Sequence, residues 1–289
     1  MWGKPSKKVR GTGPLPTFVI AGMPKAGTTA LAAHLQGHPD VFVAPQKEVH
    51  FFDTNFGWGI DWYRSQFADA AGQPAIGDAT PTYVATETNI ERMASLLPEA
   101  RVILVVRNPV DRAISHYWWM RGGAGLERRT FEDAVQAEMK DPEGTRTFPH
   151  FSYLAGSRYM TFVERLERYY SRESMLIVVG EDLRSDSMNA FQTVCRFLGV
   201  RDDFEPQNLG TDINPSFTRR SQRLHLLMLK TKAWRWLPGA YKLDMANRVP
   251  LVQQPIDPGL RRELHDWFAP SVASLSSYIG RDLAAVWTK

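Results

Sequence analysis

The chain has 289 residues, of which 43% are hydrophobic and 23% charged, and this composition is typical of a globular protein that buries a sizeable core. Its 35 Lys and Arg residues against 31 Asp and Glu residues are a mild excess, which argues against the basic stripe of a nucleic-acid-binding protein and suits a small anionic ligand. No stretch approaches the roughly 20 apolar residues of a membrane span, so no spanning segment is expected.

Residues 1–16 are basic and contain no apolar run, so the sequence predicts a flexible basic arm and no signal peptide. The one cysteine, Cys195, lies among apolar residues in "FQTVCRFLGV", which predicts a buried position on a helix. Because no second cysteine is available for an internal disulfide, we expect a reducing, cytoplasmic compartment.

Five apolar segments with little polar alternation are typical of buried parallel strands. They are residues 17–22, 41–44, 75–80, 101–106 and 175–180. Segments with helical periodicity follow them at residues 28–36, 88–97, 110–120, 130–139, 158–170 and 188–198. This alternation predicts a three-layer α/β fold, a central parallel sheet flanked by helices, with the ligand at the carboxyl ends of the strands.

After residue 200 the pattern is less regular. Residues 205–257 are predicted to be irregular, apart from a basic amphipathic segment at 219–236, and two closing helices are expected at 258–268 and 271–279. With no internal repeat, residues 17–289 are predicted to form a single domain.

The segment "FVIAGMPKAGTTALAAHLQ" predicts a buried strand, a glycine-bounded loop and a helix, which together form a phosphate cradle. Gly22 and Gly27 have the spacing of the nucleotide loop G-x-x-x-x-G-K-[ST], but Thr28 occupies the lysine position and the lysine lies inside the loop as Lys25. The predicted phosphate-binding residues are Lys25, Ala26, Gly27, Thr28 and Thr29.

A second anion site is predicted after the strand at 101–106. A triphosphate enzyme normally places there an aspartate that helps to hold magnesium, whereas this chain has Arg107. A guanidinium cannot bind magnesium but is a good partner for a phosphate, and Ser115 on the next helix is placed to reach the same group. The two sites together predict a nucleotide with phosphates at two separate places, bound without a metal.

This constellation resembles the sulfotransferases that use 3'-phosphoadenosine 5'-phosphosulfate (PAPS). "PKAGTT" resembles their 5'-phosphosulfate loop, and "RNPVDRAISHY" resembles their 3'-phosphate site. "KEVHFFD" is similar to a segment of the heparan sulfate glucosaminyl 3-O-sulfotransferase group, in which the residue matching Glu48 is the proposed catalytic base and a histidine matching His50 lies beside it. The resemblance covers residues 17–200.

The resemblance implies the P-loop-like sulfotransferase fold and metal-independent transfer of a sulfuryl group from PAPS to an acceptor hydroxyl or amine. Lys25 would stabilise the leaving oxygen, and either Glu48 or His50 would act as the base. The expected acceptor is a small molecule, a glycan or a lipid, and no nucleic-acid partner is expected.

The chain departs from the heparan sulfate group in two places. Ala79 stands where those enzymes have a lysine that contacts sulfated glycan, which argues against a heavily anionic acceptor. In place of their disulfide and cofactor loop the chain has "NPSFTRRSQR", so Arg219 or Arg220 is the candidate to close over the cofactor phosphates within the irregular region.

Two other function classes stay open at this point. A P-loop kinase would need a metal-binding carboxylate, for which Asp78 at the end of "AIGDAT" is the candidate. A non-catalytic nucleotide-binding protein would need no base, so the presence of Lys25 together with Glu48 weighs against it.

Overall fold

The structure, a computed structural model, describes residues 12–46, 48–141, 152–209, 217–231, 237 and 239–287. Five parallel strands form a sheet in the order β2-β3-β1-β4-β5. The strands are β1 (Phe18–Gly22), β2 (Val41–Val43), β3 (Ala75–Ala79), β4 (Arg101–Val106) and β5 (Met175–Val179). All five predicted strands and the predicted fold class are confirmed.

The sheet is buried on both faces, as the continuous apolar strands predict. Along β1, Val19 and Ala21 belong to one hydrophobic cluster, whereas Phe18 and Ile20 belong to another. Successive strand residues point to opposite faces, so this alternation means that each face of the sheet has its own core. Cys195 lies in the second of these clusters, so its predicted burial is confirmed.

Helices occupy all six segments predicted before residue 200, with ends that differ by a few residues, and others lie outside the predicted segments, including Ala240–Ala246 in the region expected to be irregular. They are α1 (Thr28–Gln36), α2 (Ile60–Ser65), α3 (Glu87–Leu96), α4 (Pro109–Trp118), α5 (Phe131–Lys140), α6 (Tyr159–Leu166), α7 (Asp182–Ser185), α8 (Ser187–Leu198), α9 (Gln222–Thr231), α10 (Ala240–Ala246), α11 (Pro258–Ile279) and α12 (Leu283–Trp287). Among the described residues, no helix is both long and apolar enough to cross a membrane.

The prediction of two closing helices is wrong, because α11 runs without a break through Pro270. A proline removes one helical N–H donor and normally marks a boundary. Buried side chains lie on both sides of it, Phe268 before and Leu275 after, and their burial favours a continuous helix over the local preference of proline.

The described residues group into two compact units. The first comprises those within Met1–Pro109, Gly156–Ile213 and Phe268–Lys289, and it contains the sheet. The second comprises those within Val110–Ala155 and Asn214–Trp267, and it contains a short antiparallel pair, β6 (Phe217–Arg219) and β7 (Arg248–Pro250). The single domain remains a prediction, and most of the predicted basic arm, residues 1–11, lies outside the described residues.

Candidate active site

The loop after β1 has the backbone that its glycines predict. Gly22 has a φ of 150°, and a Cβ added there would lie 2.7 Å from the carbonyl oxygen of Val105 on the neighbouring strand. Gly27 has a φ of 119° and precedes the first turn of α1, which has no side-chain cap and no acidic residue. The N-terminal N–H groups of α1 therefore face no competing carboxylate from their own helix and suit an anionic phosphate.

Arg107 lies beside this loop. Its backbone is held by Tyr159, whose hydroxyl accepts from the Arg107 N–H at 3.2 Å and donates to the Arg107 carbonyl at 2.8 Å. Its guanidinium donates to the carbonyl of Lys25 at 3.4 Å. Arg107, which the sequence predicts to bind a second phosphate, thus lies beside the loop after β1.

The end of β5 packs against the same loop. The N–H of Gly180 donates to the carbonyl of Val106 at 2.7 Å, and a Cβ at Gly180 would lie 2.6 Å from the carbonyl oxygen of Ala26. Glycine at this position therefore lets three chain segments meet at the carboxyl edge of the sheet, where doubly wound folds bind ligands.

His50 lies between two carboxylates. Its Nε2 is 3.4 Å from Oε2 of Glu48, and its Nδ1 is 2.9 Å from Oδ2 of Asp53. Asp53 in turn accepts a hydrogen bond from the hydroxyl of Thr82. The sequence prediction missed Asp53, although its spacing of three residues from His50 in "KEVHFFD" was the available signal.

The surroundings of His50 favour its protonated form. Burial lowers the pKa of His50, but the hydrogen bonds and charges of Asp53 and Glu48 outweigh burial and raise the pKa to about 10. The pKa of Asp53 is lowered, because the effect of its own burial is outweighed by His50 and Thr82. A protonated imidazole cannot accept a proton, so this geometry favours Glu48 as the base.

Three residues combine backbone strain with the predicted chemistry. Among the described residues, Lys25, Glu48 and His50 are the non-glycine residues with positive φ, at 76°, 62° and 55°. Such conformations cost of the order of 1–3 kcal/mol each and concentrate at functional sites. They coincide with the three residues that the sequence assigns to catalysis.

Asp78, the candidate metal ligand of a kinase, is fully buried on β3. Its Oδ1 accepts from Thr80 at 2.7 Å, and its Oδ2 accepts from Tyr83 at 2.7 Å and from Tyr63 at 3.0 Å. Both oxygens are thus committed to buried hydroxyls, so Asp78 does not have the exposed position that a nucleotide-bound magnesium requires.

The remaining predicted site residues lie in the second unit. Ser115 is buried on α4. The Arg219 side chain is 6% exposed and pairs with Asp244, which also binds Arg248 and His225. The backbone N–H of Arg220 donates to the carbonyl of Asn247 at 2.8 Å. Cofactor roles for Ser115, Arg219 and Arg220 stay predictions.

A groove of about 500 Å³ adjoins the segment that follows His50. It is lined by Phe51, Phe56, Gly59, Ile60, Glu91, Arg92, Ser95 and Leu96. The Arg92 guanidinium lies 4.4 Å from the centre of the Phe56 ring and donates to the carbonyl of Phe52. The lining has one cation and one anion, so the groove has no excess of charge of either sign.

Comparison with known proteins shows what this chain is similar to. The model of the sulfotransferase domain matches residues 15–220. A sulfotransferase from Alicyclobacillus acidocaldarius, known from its crystal structure, superimposes with a TM-score of 0.70 at 27% identity and covers 96% of this chain and 100% of its own.

Curated relatives extend the comparison. Heparan sulfate glucosamine 3-O-sulfotransferase 5 of Homo sapiens is 27% identical over 271 residues, which cover 93% of this chain and 73% of the relative. Bifunctional heparan sulfate N-deacetylase/N-sulfotransferase 2 of Bos taurus is 35% identical over 196 residues, which cover 64% of this chain. The matched region spans 22% of the length of that bifunctional relative.

Proposed function

Because the chain belongs to the sulfotransferase family, we propose that it transfers a sulfuryl group from PAPS to a hydroxyl or amine of an acceptor. The observation that carries the proposal is the strained backbone of Lys25, Glu48 and His50, since these are the residues to which the resemblance gives catalytic roles. Neither the family match nor the buried position of Asp78 supports the kinase alternative.

The first unit has groups that fit both phosphates of the donor. The N-terminal N–H groups of α1 and the hydroxyls of Thr28 and Thr29 would hold the 5'-phosphate, because the helix dipole favours an anion there. Arg107, whose guanidinium already reaches the loop, would bind the 3'-phosphate. When bound, the donor supplies the sulfuryl group.

The proposed roles in transfer follow from charge. Glu48 takes the proton of the acceptor as the new bond to sulfur forms, and Lys25 stabilises the charge on the leaving phosphate oxygen as its bond to sulfur breaks. His50 stays protonated between Glu48 and Asp53 and orients the Glu48 carboxylate. These steps need no metal ion, and metal independence is part of the proposal.

The acceptor is proposed to be a small molecule, a glycan or a lipid without a high density of negative charge. Two relatives are named for heparan sulfate, but Ala79 stands where the resemblance to the 3-O-sulfotransferase group would place a lysine that contacts sulfated glycan. A panel that contains heparan sulfate, neutral glycans and hydroxylated lipids would test this, with labelled sulfate incorporation as the readout. Preferential sulfation of the polyanion would overturn it.

Nucleotide binding tests the two-phosphate site. Arg107→Ala should strongly weaken the binding of adenosine 3',5'-bisphosphate and hardly change the binding of adenosine 5'-monophosphate, because only the first ligand has a 3'-phosphate. Titration calorimetry with both nucleotides measures the difference, and Arg168→Ala, which removes an exposed arginine of the same unit, is the matched control. If Arg107→Ala weakens the binding of both nucleotides equally, the assignment of Arg107 to the 3'-phosphate is refuted.

A cytoplasmic location is also proposed. It is supported by the single cysteine of the sequence, which has no second cysteine for an internal disulfide. Fractionation of the source cells with an antibody against the chain tests it, and recovery in a membrane or secretory fraction would contradict it.

A further inference from the structure

Two successive backbone N–H groups of the catalytic segment donate to side-chain hydroxyls. The His50 N–H donates to Oγ1 of Thr80 at 3.3 Å, and the Phe51 N–H donates to Oη of Tyr83 at 2.8 Å. His50 has the left-handed φ of 55°, so these bonds hold a strained stretch of backbone.

Both hydroxyls donate to one carboxylate. Thr80 donates to Oδ1 of Asp78 and Tyr83 donates to Oδ2, each at 2.7 Å. A hydroxyl has a single proton, so a hydroxyl that donates to Asp78 can present only its lone pairs to a backbone N–H. Because Asp78 takes the proton of each hydroxyl, Thr80 and Tyr83 act only as acceptors toward the N–H groups of His50 and Phe51.

The network is shielded from water. Asp78, Thr80 and Tyr83 are all fully buried. Burial raises the pKa of Asp78 to about 6, and the hydrogen bonds from Thr80, Tyr83 and Tyr63 limit the rise because they favour the carboxylate. Water does not reach these groups, so the loss of either hydroxyl would leave a buried backbone N–H group without its hydrogen-bond acceptor.

We propose that Asp78 is a positioning residue: through Thr80 and Tyr83 it clamps the backbone of His50 and Phe51, and so holds the Glu48–His50 pair in its reactive geometry. This proposal rests on the proposed function for the role of that pair. The clamp itself is a property of hydrogen bonds in the first unit and is measurable without turnover.

Two tyrosines of the network provide a matched pair of variants. Tyr63 and Tyr83 are both fully buried and donate to the same Oδ2 of Asp78, but only Tyr83 accepts from the catalytic backbone. Tyr83→Phe should lower kcat by about 10- to 100-fold with the affinity for adenosine 3',5'-bisphosphate unchanged, because a displaced base loses its alignment. Tyr63→Phe should keep kcat within about twofold, although both variants lose a buried hydroxyl and should lose comparable stability.

Thr80 provides the rescue. Thr80→Val removes the hydroxyl that accepts from the His50 N–H and should lower kcat in the same way, whereas Thr80→Ser keeps the hydroxyl and should restore it. A Thr80→Ser variant as inactive as Thr80→Val would contradict a role for the hydroxyl and overturn the clamp.

The second readout is the titration of His50 followed by NMR in ¹³C,¹⁵N-histidine-labelled protein, with His50→Gln to assign its signals. In the wild type and in Tyr63→Phe, His50 should stay protonated through pH 8. In Tyr83→Phe and Thr80→Val the pKa of His50 should fall toward the ordinary value, because its contacts with Glu48 and Asp53 loosen.

If Tyr63→Phe and Tyr83→Phe change the pKa of His50 and kcat equally, the clamp is refuted. If the wild type transfers no sulfuryl group, the proposed function fails while the NMR comparison still decides on the clamp.

Discussion

Whether Glu48 or His50 acts as the base depends on the protonation state of His50, and Asp53 contributes to that state. The motif "KEVHFFD" brings Glu48 and His50 together but leaves both as candidate bases, because sequence does not give the protonation state of either. The two contacts of His50 supply the missing information, since a carboxylate at each ring nitrogen, Asp53 at Nδ1 and Glu48 at Nε2, favours the protonated imidazole. The roles of Asp53 and Asp78 depend on contacts with Thr82, Tyr63 and Tyr83, which only the folded chain brings within reach.

Glu48→Gln should lower turnover by about 10²- to 10⁴-fold while the affinity for adenosine 3',5'-bisphosphate stays the same, because glutamine keeps the shape but cannot accept a proton. His50→Gln should cost less, since it removes an orienting partner. Steady-state kinetics and calorimetry measure the two effects. A nearly wild-type Glu48→Gln together with an inactive His50→Gln would transfer the role of base to His50.

The pH profile of the wild type separates the same alternatives. With a carboxylate base and a protonated His50, kcat/KM should be flat between about pH 7 and 9. A neutral His50 acting as the base would instead make the rate rise toward the pKa of about 10, since the neutral form accumulates only there. A tenfold rise per pH unit would therefore contradict the assignment of Glu48.

Lys25→Ala should lower turnover by at least about 10²-fold with only a modest loss of affinity for adenosine 3',5'-bisphosphate, because the charge that Lys25 stabilises develops in the transition state. Lys230→Ala removes the same charge from an exposed position on α9 and should leave both values unchanged. If Lys25→Ala loses affinity and turnover in equal proportion, Lys25 binds the nucleotide without a special part in the transfer.

At the scale of elements, the apolar strands and the helical periodicity are sufficient to predict the five-stranded sheet. The pair β6 and β7 escaped prediction: each strand has three residues, as β2 does, but neither Phe217–Arg219 nor Arg248–Pro250 is the continuous apolar run that marks β2. The helix α11 continues through Pro270 because side chains on both sides of the proline are buried, and the local sequence does not predict that tertiary packing.

Gly180→Ala should weaken binding of adenosine 3',5'-bisphosphate by about tenfold, equivalent to about 1.4 kcal/mol, because the new Cβ pushes on the carbonyl of Ala26 in the phosphate loop. Gly37→Ala is the control at the other end of α1, where a Cβ would meet a ring carbon of Phe204 at an ordinary 3.9 Å. If the two variants bind adenosine 3',5'-bisphosphate with similar affinity, the contact between Gly180 and the loop after β1 does not determine nucleotide binding.

At the scale of the whole molecule, the family could be predicted from three motifs in order, and the match over residues 15–220 confirms it. The acceptor could not be predicted, because its specificity depends on side chains around the base that vary independently of the transfer machinery. Within the first unit, the loop after β1, Arg107 and the Glu48–His50 pair are the parts to which we assign sulfuryl transfer.

The most direct test of the central claim is the release of adenosine 3',5'-bisphosphate from PAPS by the purified chain, followed by chromatography with the acceptor panel present. The account predicts release and sulfated product in excess EDTA at the same rate as with magnesium, and no product from ATP with magnesium. Loss of activity in EDTA that magnesium restores, or use of ATP as the donor, would contradict it.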